Sequence, residues 1–373
     1  MPEENREICL TWLAASGLSP DHLRDLFSEE PDPIRIFARF ESTGELFSDR
    51  KLPPSLVRSL RDGASERTRD RWNRNLTRYG IQVMCCLDAC WPKSLLNLPE
   101  APAILFYRGN PSAAASRSVS MVGSRNASAR GLEAAGKIAE KLSRAGISVV
   151  SGLAYGIDAA AHRGCLKGGS PTIAVLGCGL DQDYPAENAP LRRQILENGG
   201  LLLSEYIPGE KPLGWHFPYR NRIISGLGDA LVLMEARIRS GSMTTVQHAL
   251  NQGKDVFVYP GEPGNPRNEG NHQLLREGAI YFTTAEDLME DMGWLDKTAD
   301  VGQNIESAEP TPPVSASEKQ VLDQLDRGEM SFEELCDALN MPAAMLNATL
   351  SMLQIQGLIR ALPGKRYEKS LQD

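Results

Sequence analysis

The 373 residues carry 40 Lys and Arg against 48 Asp and Glu, a net charge of -8, with 41% hydrophobic and 24% charged residues. This is the balance of a soluble globular chain with room for more than one domain, and it argues against nonspecific coating of nucleic acid while leaving space for a local basic cleft. No stretch approaches a membrane span, the start MPEENREICL is too acidic for a signal peptide, and the seven cysteines form no CxxC pair, so no metal is expected and the thiols read as reduced and cytoplasmic.

In chain order, residues 5–62 show leucines at helical spacing, with Ser19-Pro20-Asp21 as a helix start. ASERTRDRWNRNLTRYG follows as a charged amphipathic helix, and IQVMCCLDACWP as a strand. From residue 101 the texture alternates. AILFYRG, SVSMVGS, ISVVSGL, TIAVLGCG, LLLSEY, ALVLMEA and DVFVYPG read as strands, and helical segments lie between several of them. Apolar strands alternating with helices predict an α/β fold with a parallel sheet covered on both faces. Residues 296–316 are polar and proline-bearing, a linker. Beyond it, three short helices and a hairpin fit a winged helix, with Ser331 and Glu334 as a capping box and a helix end at Met341-Pro342.

Ligands of an open parallel sheet bind beyond its carboxyl ends. Four predicted strands end in small-residue turns: VGSRNAS with Gly123, Ser124 and Arg125, SGLAYGID with Ser151 and Gly152, LGCGLD with Gly177 and Gly179, and RSGSMTT with Ser240, Gly241 and Ser242. Such turns at helix starts suit a phosphate-type anion, although glycine also serves tight turns for conformational reasons alone. None of them completes GxxxxGK[ST] or GxGxxG, so neither a P-loop nor a dinucleotide cofactor is expected. No acid lies between Pro111 and Leu132, which favours Arg125 as a bidentate phosphate ligand over a brace for a neighbouring turn.

HFPYRNRIISGL places Arg220 and Arg222 in a stretch without one carboxylate from Lys211 to Leu227. Either these cations face an external anion or they bond backbone carbonyls; the outward reading is preferred. Trp215 and Phe217, on what reads as a loop, add the aromatic component of a single-strand nucleic-acid site. Asp158 and His162 share a helix face without a third ligand, so they read as a helix-start group and a packed histidine. Glu205, Glu235 and Asp181 near strand ends cannot be paired into acid–base chemistry.

The motifs MVGSRNAS, SGLAYGIDAAAH, VLGCGLDQDYP, LSEY, HFPYRNRIISGL, EARIRSGSMTT, VYPG and EGNHQLLREGA, in order from 121 to 279, closely resemble the bacterial DNA-processing protein A family (DprA, also called Smf). The resemblance implies a small helical (SAM-like) domain over 1–62, an extended Rossmann-like domain over 63–295, the linker 296–316, and a winged-helix module over 317–373. It further implies a non-enzymatic, dimeric protein that binds single-stranded DNA, protects it in natural transformation, and loads the RecA recombinase past single-strand-binding protein. Carried over by position, Arg125 holds a phosphate and Phe217 stacks on a base, while Arg220 and Arg222 share DNA contact and bracing in an unspecified division. Family lysines are replaced here by Gly214 and Ala186, with Lys211 as a substitute for the first. From Ser315 onward, six Lys and Arg face nine Asp and Glu, and PAAMLNATLSMLQIQGL carries no charge, so the module is expected to meet protein rather than duplex DNA. The competing enzymatic reading is a phosphoribohydrolase, whose catalytic glutamate is missing where Val246, Gln247 and His248 stand.

Overall fold

The structure is a computed structural model that describes residues 5–47, 51–96, 98–295, 316–326, 328–339, 341, 345–346, 349–350, 353, 358–362 and 366–369. Five helices lead: α1 (Arg6–Ala15), α2 (Pro20–Glu29), α3 (Pro33–Thr43), α4 (Pro54–Ala64) and α5 (Glu66–Tyr79). Ser19 and Asp32 accept first-turn N–H groups of His22 and Ile34, and Pro20 and Pro33 occupy positions where no N–H is needed. Trp12 packs edge-on to Phe37 at 4.9 Å and donates its indole N–H to Leu60 O at 2.8 Å.

The boundary expected at 62/63 is absent from the packing. Trp72 and Leu76 of α5 join the helical core, and that core continues into Val83, Ile104 and Phe106, so one unit runs from Met1 to Leu295.

The sheet then builds through β1 (Gln82–Cys85), β2 (Ile104–Gly109), β3 (Ser118–Val122), α6 (Ala129–Arg144), β4 (Ser148–Ser151), α7 (Ile157–Gly168) and β5 (Thr172–Leu176). It continues with α8 (Ala189–Glu197), β6 (Leu201–Ser204), α9 (His216–Leu227), β7 (Ala230–Leu233), α10 (Gly241–Asn251), β8 (Asp255–Val258), α11 (Glu269–Arg276), β9 (Ile280–Tyr281) and α12 (Ala285–Asp291). The nine strands lie in the order β1-β2-β6-β5-β4-β3-β7-β8-β9. From β6 to β9 all pairs are parallel, whereas β2 and β1 are antiparallel additions, contrary to the parallel pairing expected for AILFYRG.

The chain winds from β3 toward β6, then returns to the other side of β3 at β7. The strand order therefore reverses between β3 and β7, where an open α/β sheet leaves a crevice at its carboxyl edge. All four glycine- and serine-bearing turns follow parallel strands and share that edge.

The second unit contains α13 (Ala316–Leu325), β10 (Met330–Ser331), α14 (Phe332–Leu339), β11 (Ile359–Leu362) and β12 (Arg366–Lys369), with strand order β10-β12-β11. The capping box forms in both directions: Glu334 N–H donates to Ser331 Oγ at 3.2 Å, and Ser331 N–H to Glu334 at 2.7 Å. The linker through 315 and most of the uncharged segment 342–358 lie outside the described residues.

Candidate nucleic-acid interface

Segment 216–227 is a helix, not the loop the sequence suggested. Nine of the twelve residues of α9 are buried, so no amphipathic period marks it, and Pro218 falls in the first turn, where a missing N–H costs little. Its burial overturns the outward reading of its arginines. Arg222 is 1% exposed; it pairs with Glu205 through two bonds of 2.7 and 2.8 Å and donates to Glu100 O at 2.9 Å. It braces the fold and is no phosphate ligand. Arg220 is 3% exposed, with bonds to Val175 O, to Gly152 O at 3.3 Å and to Asn221 Oδ1 at 3.3 Å. Burial pushes its pKa down to about 10, partly offset by Asp158, so it remains charged at neutral pH.

A cleft of about 660 Å³ occupies the crevice, walled by Gly123, Ser124, Arg125, Arg220, Ser240, Gly241 and Ser242 together with Phe217. A smaller recess of about 50 Å³ is lined by Arg125, Phe217 and Arg220, and adds Gly152, Gly177 and Tyr155. Gly177 makes room for the aromatic ring: a Cβ there would lie 3.0 Å from Phe217 Cδ1. Phe217 in turn stands 5.4 Å from the Tyr184 ring and 5.2 Å from the Arg125 guanidinium.

Arg125 differs from the α9 arginines. It is exposed, and among the described residues its guanidinium has no carboxylate or carbonyl partner; its one contact is the Phe217 ring. Across the same cleft α10 begins at Gly241 without a side-chain cap, and the buried Ser240 hydroxyl has no hydrogen-bond partner. An exposed cation, a helix start with open N–H groups and an aromatic face therefore border one space, a combination suited to an anion carrying a flat ring.

Other expected ligands are placed elsewhere. Ser151 is buried and donates to Met121 O at 2.7 Å, and the Gly179 N–H donates to Glu210 O at 3.0 Å. The Gly152 N–H goes to Asp158 Oδ2 at 3.2 Å, so its backbone is not a free anion donor. Lys211 is exposed beside the wall residue Pro212 without joining the wall, and Trp215, 64% exposed, packs edge-on to His216 at 4.1 Å outside it. Tyr155, Tyr184, Asn126, Asn221 and Thr245 border these spaces; each lies inside a motif the sequence marks, but none was singled out there as a ligand.

The carboxylates near the strand ends are all committed. Glu235 accepts the Ser128 N–H at 3.0 Å and its hydroxyl at 2.6 Å, filling the start of α6 where a dinucleotide diphosphate would otherwise sit. Glu205 holds Arg222, and Asp181 accepts the Gly209 N–H at 2.8 Å. Asp158, the only carboxylate on the cleft wall among the described residues, accepts from Gly152 and Ala154; burial raises its pKa against the pull of Arg220.

His162 is fully buried with Nδ1 2.7 Å from the Thr172 hydroxyl and Nε2 unpartnered, and burial drives its pKa from 6.5 to about 3. A depressed histidine stabilises the fold above its unfolded value and loses that contribution as pH falls through the folded one. Stability should therefore decline between pH 6.5 and about 3, and His162→Gln should flatten that acid limb in thermal melts across the window. An unchanged limb would assign the titration elsewhere.

A model of the DNA recombination-mediator protein A family matches residues 82–293, and a DprA winged helix domain model matches residues 306–365. The chain belongs to the DNA recombination-mediator protein A family. Among its relatives, the DNA processing protein DprA of Streptococcus pneumoniae is 44% identical over 203 residues, covering 54% of this chain and 71% of that one. The solved structure of DNA processing protein A from Streptococcus pneumoniae aligns with TM-score 0.64 at 34% identity, covering 75% of this chain and 95% of the other. That of Helicobacter pylori, described for its unique single-stranded DNA binding mode, aligns with TM-score 0.52 at 27% identity, covering 57% and 97%. The matched span of the recombination-mediator family contains every residue of the cleft wall. Among the described residues no helix is long and apolar enough to cross a membrane.

Proposed function

We propose that the chain is a cytoplasmic mediator of DNA recombination that holds single-stranded DNA in the cleft between β3 and β7. Arg125 carries this reading, as an exposed guanidinium that no oxygen of the described residues engages, set against the Phe217 ring. A phosphate bound there would meet Arg125, the Ser240 hydroxyl and the open start of α10, while a base stacks on Phe217. Ser124 and Ser242 border the same space and complete the proposed phosphate ligands. The Helicobacter pylori relative described for single-stranded DNA binding supports the assignment, as does membership of the family.

Protection of incoming DNA, delivery to a RecA recombinase past single-strand-binding protein, and action as a homodimer belong to this proposal. Catalytic turnover is not part of it: among the described residues the cleft wall carries one carboxylate, Asp158, and that one accepts the Gly152 and Ala154 N–H groups. Release of free base from nucleoside monophosphates would overturn that part.

The direct test is a fluorescence-anisotropy titration of oligo(dT) of increasing length, against matched duplexes, at several salt concentrations. Phe217→Leu should weaken oligo(dT) binding by about 1–3 kcal/mol, the worth of one stacked base, while Phe217→Tyr retains it. Equal affinity of wild type and Phe217→Leu would remove the ring from the site.

A further inference from the structure

The helix α5, which the cleft does not use, carries five arginines against two carboxylates in a chain of net charge -8. Arg67, Arg71, Arg74 and Arg78 follow one another at four, three and four residues, so at about 100° per residue they fall in a band roughly 60° wide. Trp72 and Leu76 are the buried residues of this helix, and the arginine band lies opposite them, toward solvent. The row is about 16 Å long at 1.5 Å per residue.

An exposed face commonly carries charge, but it commonly mixes signs. The exposed cations of α6 follow that pattern: Lys137 pairs with Glu133, Arg144 with Glu140, Lys141 with Glu286 and Arg130 with Glu262. Along α5 no such pairing occurs. Among the described residues none of Arg67, Arg71, Arg74 and Arg78 has a carboxylate within ion-pair distance, and the one ring contact is Arg78 over Tyr79 at 5.4 Å. Like charges at i and i+4 weaken a helix, and Arg67/Arg71 and Arg74/Arg78 are such pairs; Asp70, three residues from Arg67 and four from Arg74, offsets part of that cost without closing an ion pair.

We propose that this arginine row is a second polyanion site, separate from the cleft, that takes the phosphate backbone of duplex DNA without reading sequence. The row is straight and rigid, its guanidinium forks match phosphate oxygens, and its successive steps of about 4.5–6 Å are on the scale of phosphate spacing along a strand. Duplex is favoured over single strand because the band bears no exposed aromatic side chain, and single-strand sites draw much of their affinity from stacking. The side chains that do reach solvent there offer charge and no apolar anchor, which also disfavours a protein partner of ordinary interface composition.

The test uses the full chain with Arg67, Arg71, Arg74 and Arg78 all replaced by Gln, beside the same four replaced by Lys. Glutamine keeps helix propensity and fully solvated sites tolerate it, so the melting temperature should hold. Wild type should retain a fluorescent duplex at 50 mM salt with a steep salt dependence. The Gln variant should lose at least about tenfold in duplex affinity and up to about 0.9 in salt slope per phosphate contact removed, the Lys variant much less. Single-strand binding, read on oligo(dT), should stay within about twofold of wild type in both, because it depends on the cleft.

Duplex affinity unchanged in the Gln variant overturns the proposal. So does an equal loss on oligo(dT), which would make the row part of the single-strand path. Absence of duplex retention by wild type at 50 mM salt overturns it as well, and gain of binding to an acidic protein segment under the same conditions would reassign the row. Because the cleft variants and the α5 variants are read on different ligands, failure here leaves the single-strand assignment standing.

Discussion

Arg125→Ala should lower affinity for oligo(dT) by about 10- to 150-fold while leaving the melting temperature within about 2 °C of wild type. The lost interaction is a charge-assisted bond to phosphate, worth about 1.5–3 kcal/mol, and each 1.4 kcal/mol is tenfold in affinity. The slope of log affinity against log salt should fall by about 0.7, the signature of one single-strand phosphate contact removed. Stability should be spared because the side chain is exposed and bonds no carbonyl or carboxylate among the described residues. Arg125→Lys should lie between the two, retaining charge and losing the planar fork over Phe217. A structural role for this arginine predicts the opposite pattern, with the melt dropping several degrees and binding falling only through loss of folded protein. An unchanged salt slope would separate Arg125 from phosphate even if affinity fell.

The contrast among the three arginines shows what a sequence can and cannot carry. Apolar strands alternating with helices announced a parallel sheet, and small-residue turns at β3, β4, β5 and β7 announced where its carboxyl edge would lie. Those signals are local: they depend on side-chain period and on the backbone freedom of a turn. Side-chain direction on α9 is different, because it depends on what packs around the helix. With nine buried residues the helix lacks the amphipathic period that reveals helices at surfaces, so in sequence HFPYRNR has the look of an exposed loop. The carboxylate that claims Arg222 stands seventeen residues earlier, outside the acid-free window that seemed to leave it unpaired. Absence of nearby acids in the sequence is a statement about chain distance, whereas pairing is decided in space. Arg125 differs in that its turn borders the crevice and its side chain is exposed among the described residues. The helical boundary at 62/63 was misplaced for a related reason: α5 looks like a free-standing charged helix until Trp72 and Leu76 find the core of α1 and α4.

Arg222→Met should give the larger stability loss of the two arginine sites, on the order of 3–5 kcal/mol, because it strands Glu205 without its partner in a poorly hydrated position. The side chains of Arg222 and Glu205 are 2% and 16% exposed, so solvent screens the pair little. The same guanidinium also donates to Glu100 O at 2.9 Å and Tyr219 O at 3.2 Å and lies 3.9 Å from the Tyr219 ring centroid, tying α9 to the segment before β2. At about 2–4 °C per kcal/mol for a unit of this class, the melt should drop by roughly 10 °C. Combining Arg222→Met with Glu205→Leu should recover most of the loss, since a buried ion pair replaced whole by apolar groups is often neutral, whereas a broken one is not. Affinity for oligo(dT), measured well below the melt and corrected for folded fraction, should stay close to wild type. A variant that melts within 2 °C of wild type yet loses single-strand binding would return Arg222 to the DNA, and with it the outward reading of HFPYRNR that the buried pairing with Glu205 displaced.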